Sequence, residues 1–201
     1  NYVDTREKRK MKKILLTLLL FGSIFAQANR ILTLAPTAQT SSIGNVMLPM
    51  MNPARNLFDK DHFSFSRVNW MTNIVNDMSY NFINFDRGEY GVNVLFFNYG
   101  EQNQSDEFGI IQNQFTPLSA VYSFSYARKV DKYNLGVTAK LITHDLYTQS
   151  AKGLVLGVGG YFPKVYKDLD VDVMIQNFGF APKFGSWKSE LPTSVNVSGT
   201  Y

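Results

Sequence analysis

Three aspartates, Asp168, Asp170 and Asp172, fall at period two, with Leu169, Val171 and Val173 in alternation with them. An extended backbone puts the three carboxylates on one face, and such a row offers the oxygen donors that Ca²⁺ uses. A water-facing wall tolerates the same row without an ion, and that is the reading adopted, so no metal is assigned. The two histidines, His62 and His144, lie far apart, and neither has an acid or nucleophile at motif spacing. Gly-x-Ser-x-Gly is absent, and Gly157-Val158-Gly159-Gly160 lies inside an alternating run without the lysine and helix of a phosphate loop. Those glycines are expected to relieve crowding or mark a kink in a wall. Neither a catalytic residue nor a cofactor is predicted.

The elements that must carry these residues are strands. From His62 to Tyr201 the chain alternates apolar and polar residues in short blocks. In Tyr133 to Tyr147, for example, Tyr133, Leu135, Val137, Ala139 and Leu141 share one face, and Asn134, Gly136, Thr138 and Lys140 share the other. Eight strands are predicted: His62 to Val68, Asn73 to Phe85, Tyr90 to Tyr99, Leu118 to Lys129, Tyr133 to Tyr147, Gly153 to Phe162, Asp168 to Asn177 and Thr193 to Tyr201. Several reach the length of about nine to eleven residues that a tilted strand needs to cross a bilayer. Short connections, Asp86 to Glu89, Val130 to Lys132 and Pro163 to Lys167, alternate with longer polar ones, Gly100 to Pro117, Thr148 to Lys152 and Phe178 to Pro192. Periplasmic turns and external loops of a transmembrane β-barrel alternate in this way, with apolar side chains toward lipid and polar ones toward the lumen. Lys140, His144, Asp168, Asp170 and Asp172 are the candidate lumen-facing residues.

Upstream, Met11-Lys12-Lys13, the apolar stretch Ile14 to Phe25 and Ala26-Gln27-Ala28 make a secretory signal with a small-x-small cleavage pattern, so export with loss of this segment is expected. Residues 1–10 read as an upstream extension. Six of the 20 Lys and Arg and two of the 16 Asp and Glu lie within residues 1–28, which leaves 14 of each sign. A neutral mature chain removes the case for a nucleic-acid partner. The chain has no cysteine and hence no disulfide framework. The predicted division is 1–28 extension and signal, 29–60 an irregular or helical segment carrying Pro36, Pro49 and Pro53, and 61–201 the strands.

Met51-Asn52-Pro53-Ala54-Arg55-Asn56-Leu57 resembles the Asn-Pro-Ala-x-x-Leu segment near the start of the PorV/PorQ family, part of the wider FadL-like outer-membrane barrels. The later succession is similar too: Asn69-Trp70, Tyr99-Gly100, Asp106-Glu107-Phe108-Gly109, Ser125-Tyr126-Ala127-Arg128, Gly136 to Ile142, Gly153 to Gly157, Gln176-Asn177-Phe178-Gly179 and Leu191-Pro192. Leu156 stands where family members usually carry an Asp nearby. The resemblance implies an all-β, antiparallel FadL-like barrel in the outer membrane of a Gram-negative-type bacterium, in which residues 29–60 form a plug with Asn52, Pro53, Ala54 and Leu57 as its motif. It also implies a non-enzymatic role in the type IX secretion system, with secretion components and secreted cargo as partners. The alternative is a transporter of small hydrophobic molecules. Family barrels have about fourteen strands and this chain supplies about eight, so a truncated barrel whose missing strands would follow Tyr201 is the favoured expectation. The alternation of Val195, Val197, Gly199 and Tyr201 up to an aromatic residue argues instead for a closed small barrel.

Overall fold

A computed structural model describes residues 29–34, 37, 51–58, 61–70, 77–105, 108 and 110–201. The predicted signal, most of residues 35–50 and the start of the predicted second strand lie outside the described residues. The chain is all-β. Eight long strands form one antiparallel sheet: β1 (His62–Asn69), β2 (Ser79–Arg87), β3 (Tyr90–Asn98), β6 (Leu118–Val130), β7 (Tyr133–Leu146), β8 (Gln149–Tyr166), β9 (Leu169–Phe180) and β12 (Ser194–Thr200), neighbours in that order. Two small hairpins stand apart, β4 (Gln102–Ser105) with β5 (Ile111–Phe115), and β10 (Lys183–Phe184) with β11 (Trp187–Lys188). The sheet is not closed, and among the described residues β1 and β12 each have one neighbour.

The alternation sets which way each side chain points. One outer row runs Phe63, Phe85, Val92, Phe124, Ala139, Leu156 and Phe178 across seven strands. The next row holds Phe65, Ile83, Val94, Tyr122, Leu141 and Leu154. Most of these apolar side chains are exposed. The inner face is covered and largely polar: Asn84, Asn93, Ser123, Ser125, Thr138, Lys140 and Asp172 are all buried. A water-soluble protein buries its apolar side chains and exposes its polar ones, and this sheet does the reverse.

At one end of the inner face Tyr80, Phe82, Leu95, Phe97, Val121, Ile142 and Val155 form an apolar cluster capped by Ile31 and Leu32 from the 3₁₀ turn Arg30–Thr33. Full burial of each such side chain stabilises the contact by about 1.5–3 kcal/mol. At the other end the three hairpins are tight. Their turns are Gly88-Glu89, Asp131-Lys132 and Lys167-Asp168, and Gly88, Asp131 and Lys167 take positive φ. Gly88 meets that requirement without a Cβ clash.

Two expectations about connections are corrected. Thr148 to Lys152 is no extended link: β7 and β8 run on into a two-residue turn, Tyr147-Thr148, because polar residues can pair as strands where the hairpin stands clear of an apolar wall. Pro163 to Lys167 is mostly strand, with an irregularity between Phe162 and Tyr166 where Lys164 has positive φ. A β-bulge absorbs extra residues this way and leaves the strand intact.

Candidate functional site

The inner face near the tight turns forms a seat for the 3₁₀ turn Pro53–Leu57. Pro53 starts it, as suits a residue with fixed φ and no N–H to satisfy, and the Asn52 side chain caps it by accepting from Ala54 N–H at 3.2 Å. Asn52 also donates to Asp172 Oδ1 at 2.8 Å, and Arg55 Nε donates to the same oxygen at 2.9 Å. Arg55 Nη2 pairs with Asp172 Oδ2, completing a bidentate clamp across 117 residues of chain. The Arg55 guanidinium packs against an edge-to-face pair of rings whose centroids are 4.6 Å apart, lying 4.7 Å from the Phe58 centroid and 4.9 Å from that of Tyr161. Asn56 is fully buried. Its oxygen accepts from Gly91 N–H at 3.1 Å and the Ser125 hydroxyl at 2.9 Å, and its nitrogen donates to the Pro53 carbonyl at 3.3 Å.

The wall beneath this turn is thin. Ala127, Gly136 and Gly159 are register neighbours on β6, β7 and β8. A Cβ on Gly136 would lie 2.6 Å from the Pro53 carbonyl carbon, and one on Gly159 would fall inside van der Waals contact with Asn52 Oδ1. Gly157, two residues away, has room: its Cβ would meet nothing closer than 3.5 Å. Gly159→Val is therefore expected to displace the turn, at a cost of about 1–3 kcal/mol, and to open Asn52 to Leu57 to protease. Gly157→Ala should leave both stability and cleavage within about 0.5 kcal/mol of wild type, as read by denaturant unfolding in detergent.

At the opposite end, Asn29 is buried at the start of the described segment. Its amide nitrogen donates to Ser189 Oγ at 3.2 Å and to the Glu190 carbonyl, and its oxygen lies 3.1 Å from His144 Nε2. That oxygen can only accept, so Nε2 carries the hydrogen; Nδ1 faces the Ser119 hydroxyl at 2.7 Å. The described parts of residues 29–60 thus contact the inner face at both of its ends.

Of the predicted lumen residues, Lys140 and Asp172 are buried on the inner face and His144 is half-buried there. Asp170 is half-buried, hydrogen-bonded to the Tyr161 hydroxyl and to Lys164 N–H at 2.8 Å. Asp168 is corrected: it occupies the exposed turn after Lys167, where the chain reverses and strand alternation no longer assigns a face. The aspartates therefore do not converge, and among the described residues no group of acids and histidines has metal-binding geometry. Of the motif residues, Asn52, Pro53 and Ala54 are buried in the seat and Leu57 is half-buried. Sequence reasoning missed Arg55, Asn56 and Tyr161. Arg55 lay within the motif, but its partner Asp172 stands 117 positions away while Asp59 and Asp61 lie nearby in sequence, so nothing local pointed to the pair.

No family model matches the chain, and a search of curated proteins finds no match.

Proposed function

We propose that this chain forms the wall and plug of an outer-membrane β-barrel, PorV/PorQ-like, which acts in type IX secretion by assisting the passage or surface attachment of cargo. The observation that carries the membrane part is the inverted sheet: an exposed apolar face opposite a buried polar one. Outer-face charges bound the apolar band, with Arg128 toward the tight turns and Lys152 and Asp145 toward the other end. Along β7 and β8 the band spans roughly 26–33 Å of strand, which a tilt of about 40° projects to about 20–25 Å, near the lipid-facing height of known barrels. The reading requires further strands to pair with the open edges of β1 and β12, since lipid does not satisfy backbone hydrogen bonds. Outer-membrane fractionation, with heat-modifiable migration of boiled and unboiled samples, tests it.

The secretion role rests on the sequence resemblance. Its working surface would be the end bearing the longer connections, where β4 and β5 project. Deleting Gly100 to Pro117 is expected to abolish most cargo attachment while leaving the wall in place, measured as surface-bound against released cargo. Unchanged attachment with normal barrel levels would refute the assignment. The transporter reading draws support from the apolar inner patch of Phe82, Leu95, Val121 and Ile142 under Ile31 and Leu32. Uptake of a labelled fatty acid by liposomes containing the protein separates the two roles.

A further inference from the structure

Between the apolar inner cluster and the seat of the 3₁₀ turn, the sheet carries a polar row without enough partners. Asn84, Asn93, Ser123 and Lys140 are successive register neighbours on β2, β3, β6 and β7. Side chains directly opposite each other across antiparallel strands lie about 4.5–5.5 Å apart, so these form one continuous belt. Thr138 flanks it from the next row. Lys140 is 1% exposed, and its ammonium donates to Asn177 Oδ1 at 3.1 Å. Asn177 faces inward because β9 bulges opposite Gly157 and gives it a positive φ. Among the described residues no carboxylate forms an ion pair with Lys140, and Asp172 is engaged by Arg55 and Asn52.

The neighbours repeat the deficit. Both amide atoms of Asn93, the hydroxyls of Ser123 and Thr138 and Oε1 of Gln176 are buried and make no hydrogen bond. Buried polar groups are almost always paired, and an ionisable residue at membrane depth ordinarily has a partner. The donors among them, the Asn93 amide nitrogen and the Ser123 and Thr138 hydroxyls, sit on neighbouring inner-face positions beside one uncompensated cation and have a common explanation in an anionic ligand. Lysine supplies one positive charge, the hydroxyls and the Asn93 amide supply neutral donors, and a monoanion balances the set where a dianion would leave excess negative charge. We propose that this belt is an anion-binding site centred on Lys140, which takes a monoanion, either a free one such as chloride or acetate or the carboxylate head of an amphiphile.

The test uses the full chain in neutral detergent, with chloride as probe and its ³⁵Cl NMR linewidth as readout. Wild type is expected to show saturable excess broadening. Lys140→Met should cut it at least about tenfold, and Ser123→Val, which keeps the lysine, should cut it severalfold. Lys152→Met, on the outer face, should match wild type. Displacement by acetate and decanoate at similar concentrations would assign the site to free monoanions. Displacement by decanoate at about a hundredfold lower concentration would assign it to an amphiphile head. Wild-type broadening in Lys140→Met overturns the proposal; if that variant does not fold, wild-type broadening in Ser123→Val does so. No excess broadening in folded wild-type protein also overturns it. Because the inference concerns only the inner face, its failure in protein that still fractionates with the outer membrane leaves the membrane reading standing.

Discussion

Leu156→Arg is expected to block stable assembly of the wall. Leu156 is 42% exposed at the centre of the outer apolar band, beside Ala139 on β7. On a water-facing strand an arginine there would be nearly neutral, within about 0.5 kcal/mol. At the middle of a lipid-facing band it costs about 2–4 kcal/mol, and less toward the rims. Measured as folding into lipid vesicles of increasing denaturant content, Leu156→Arg should show the full penalty. The same change at Leu135, beside the rim residue Arg128, should show a smaller one. Equal, negligible effects at both positions would remove the membrane reading, because only a lipid-like medium makes the cost depend on depth.

Asp172→Ala should release the 3₁₀ turn from its seat. The carboxylate is 1% exposed and Arg55 11%, so the variant leaves a guanidinium buried against Phe58 and Tyr161 with its charge uncompensated. Removing one partner of a buried pair costs about 3–5 kcal/mol. The local opening equilibrium should rise by about two orders of magnitude or more, read as protease cleavage within residues 51–58 under conditions where strand cores stay protected. Combining it with Arg55→Ala should recover much of the loss, since no charge is then stranded. A double variant as labile as Asp172→Ala alone would show that the loss comes from the contacts Asp172 itself makes, the one to Asn52 included, and not from a stranded guanidinium.

What the sequence disclosed depended on whether the signal was local. The eight long strands were legible because period-two alternation is written within each strand, and β7 and β6 match their predicted limits within one residue. The small hairpins were not. β4 is polar on both faces and β5 is apolar only at its two ends, Ile111 and Phe115, so no sustained alternation marks them. The ends of β8 escaped for the same reason, as Gln149 to Lys152 reads like a loop. The site was legible only in part. Asn52, Pro53 and Ala54 stood out as a motif, but the seat that receives them is spread over β3, β6, β7, β8 and β9. Gly159 looked like relief from crowding, and the structure identifies the crowding group there, and at Gly136 beside it, as the backbone and side chains of the Asn-Pro-Ala segment. The bulge that turns Asn177 toward Lys140 had no local signature beyond an Asn before Phe178, since a register shift is a property of two strands together.

The clamp between Arg55 and Asp172 also bears on the order of folding. Its two halves lie 117 positions apart, and the seat between them exists only after β3, β6, β7, β8 and β9 have paired. The contact is among the most non-local in the molecule, so its loop-closure entropy is large and falls due late. The segment bearing Arg55 precedes all the described strands, yet it can dock only once the wall is built. Substitutions in the clamp should therefore speed the release of that segment while leaving the rate of strand assembly almost unchanged.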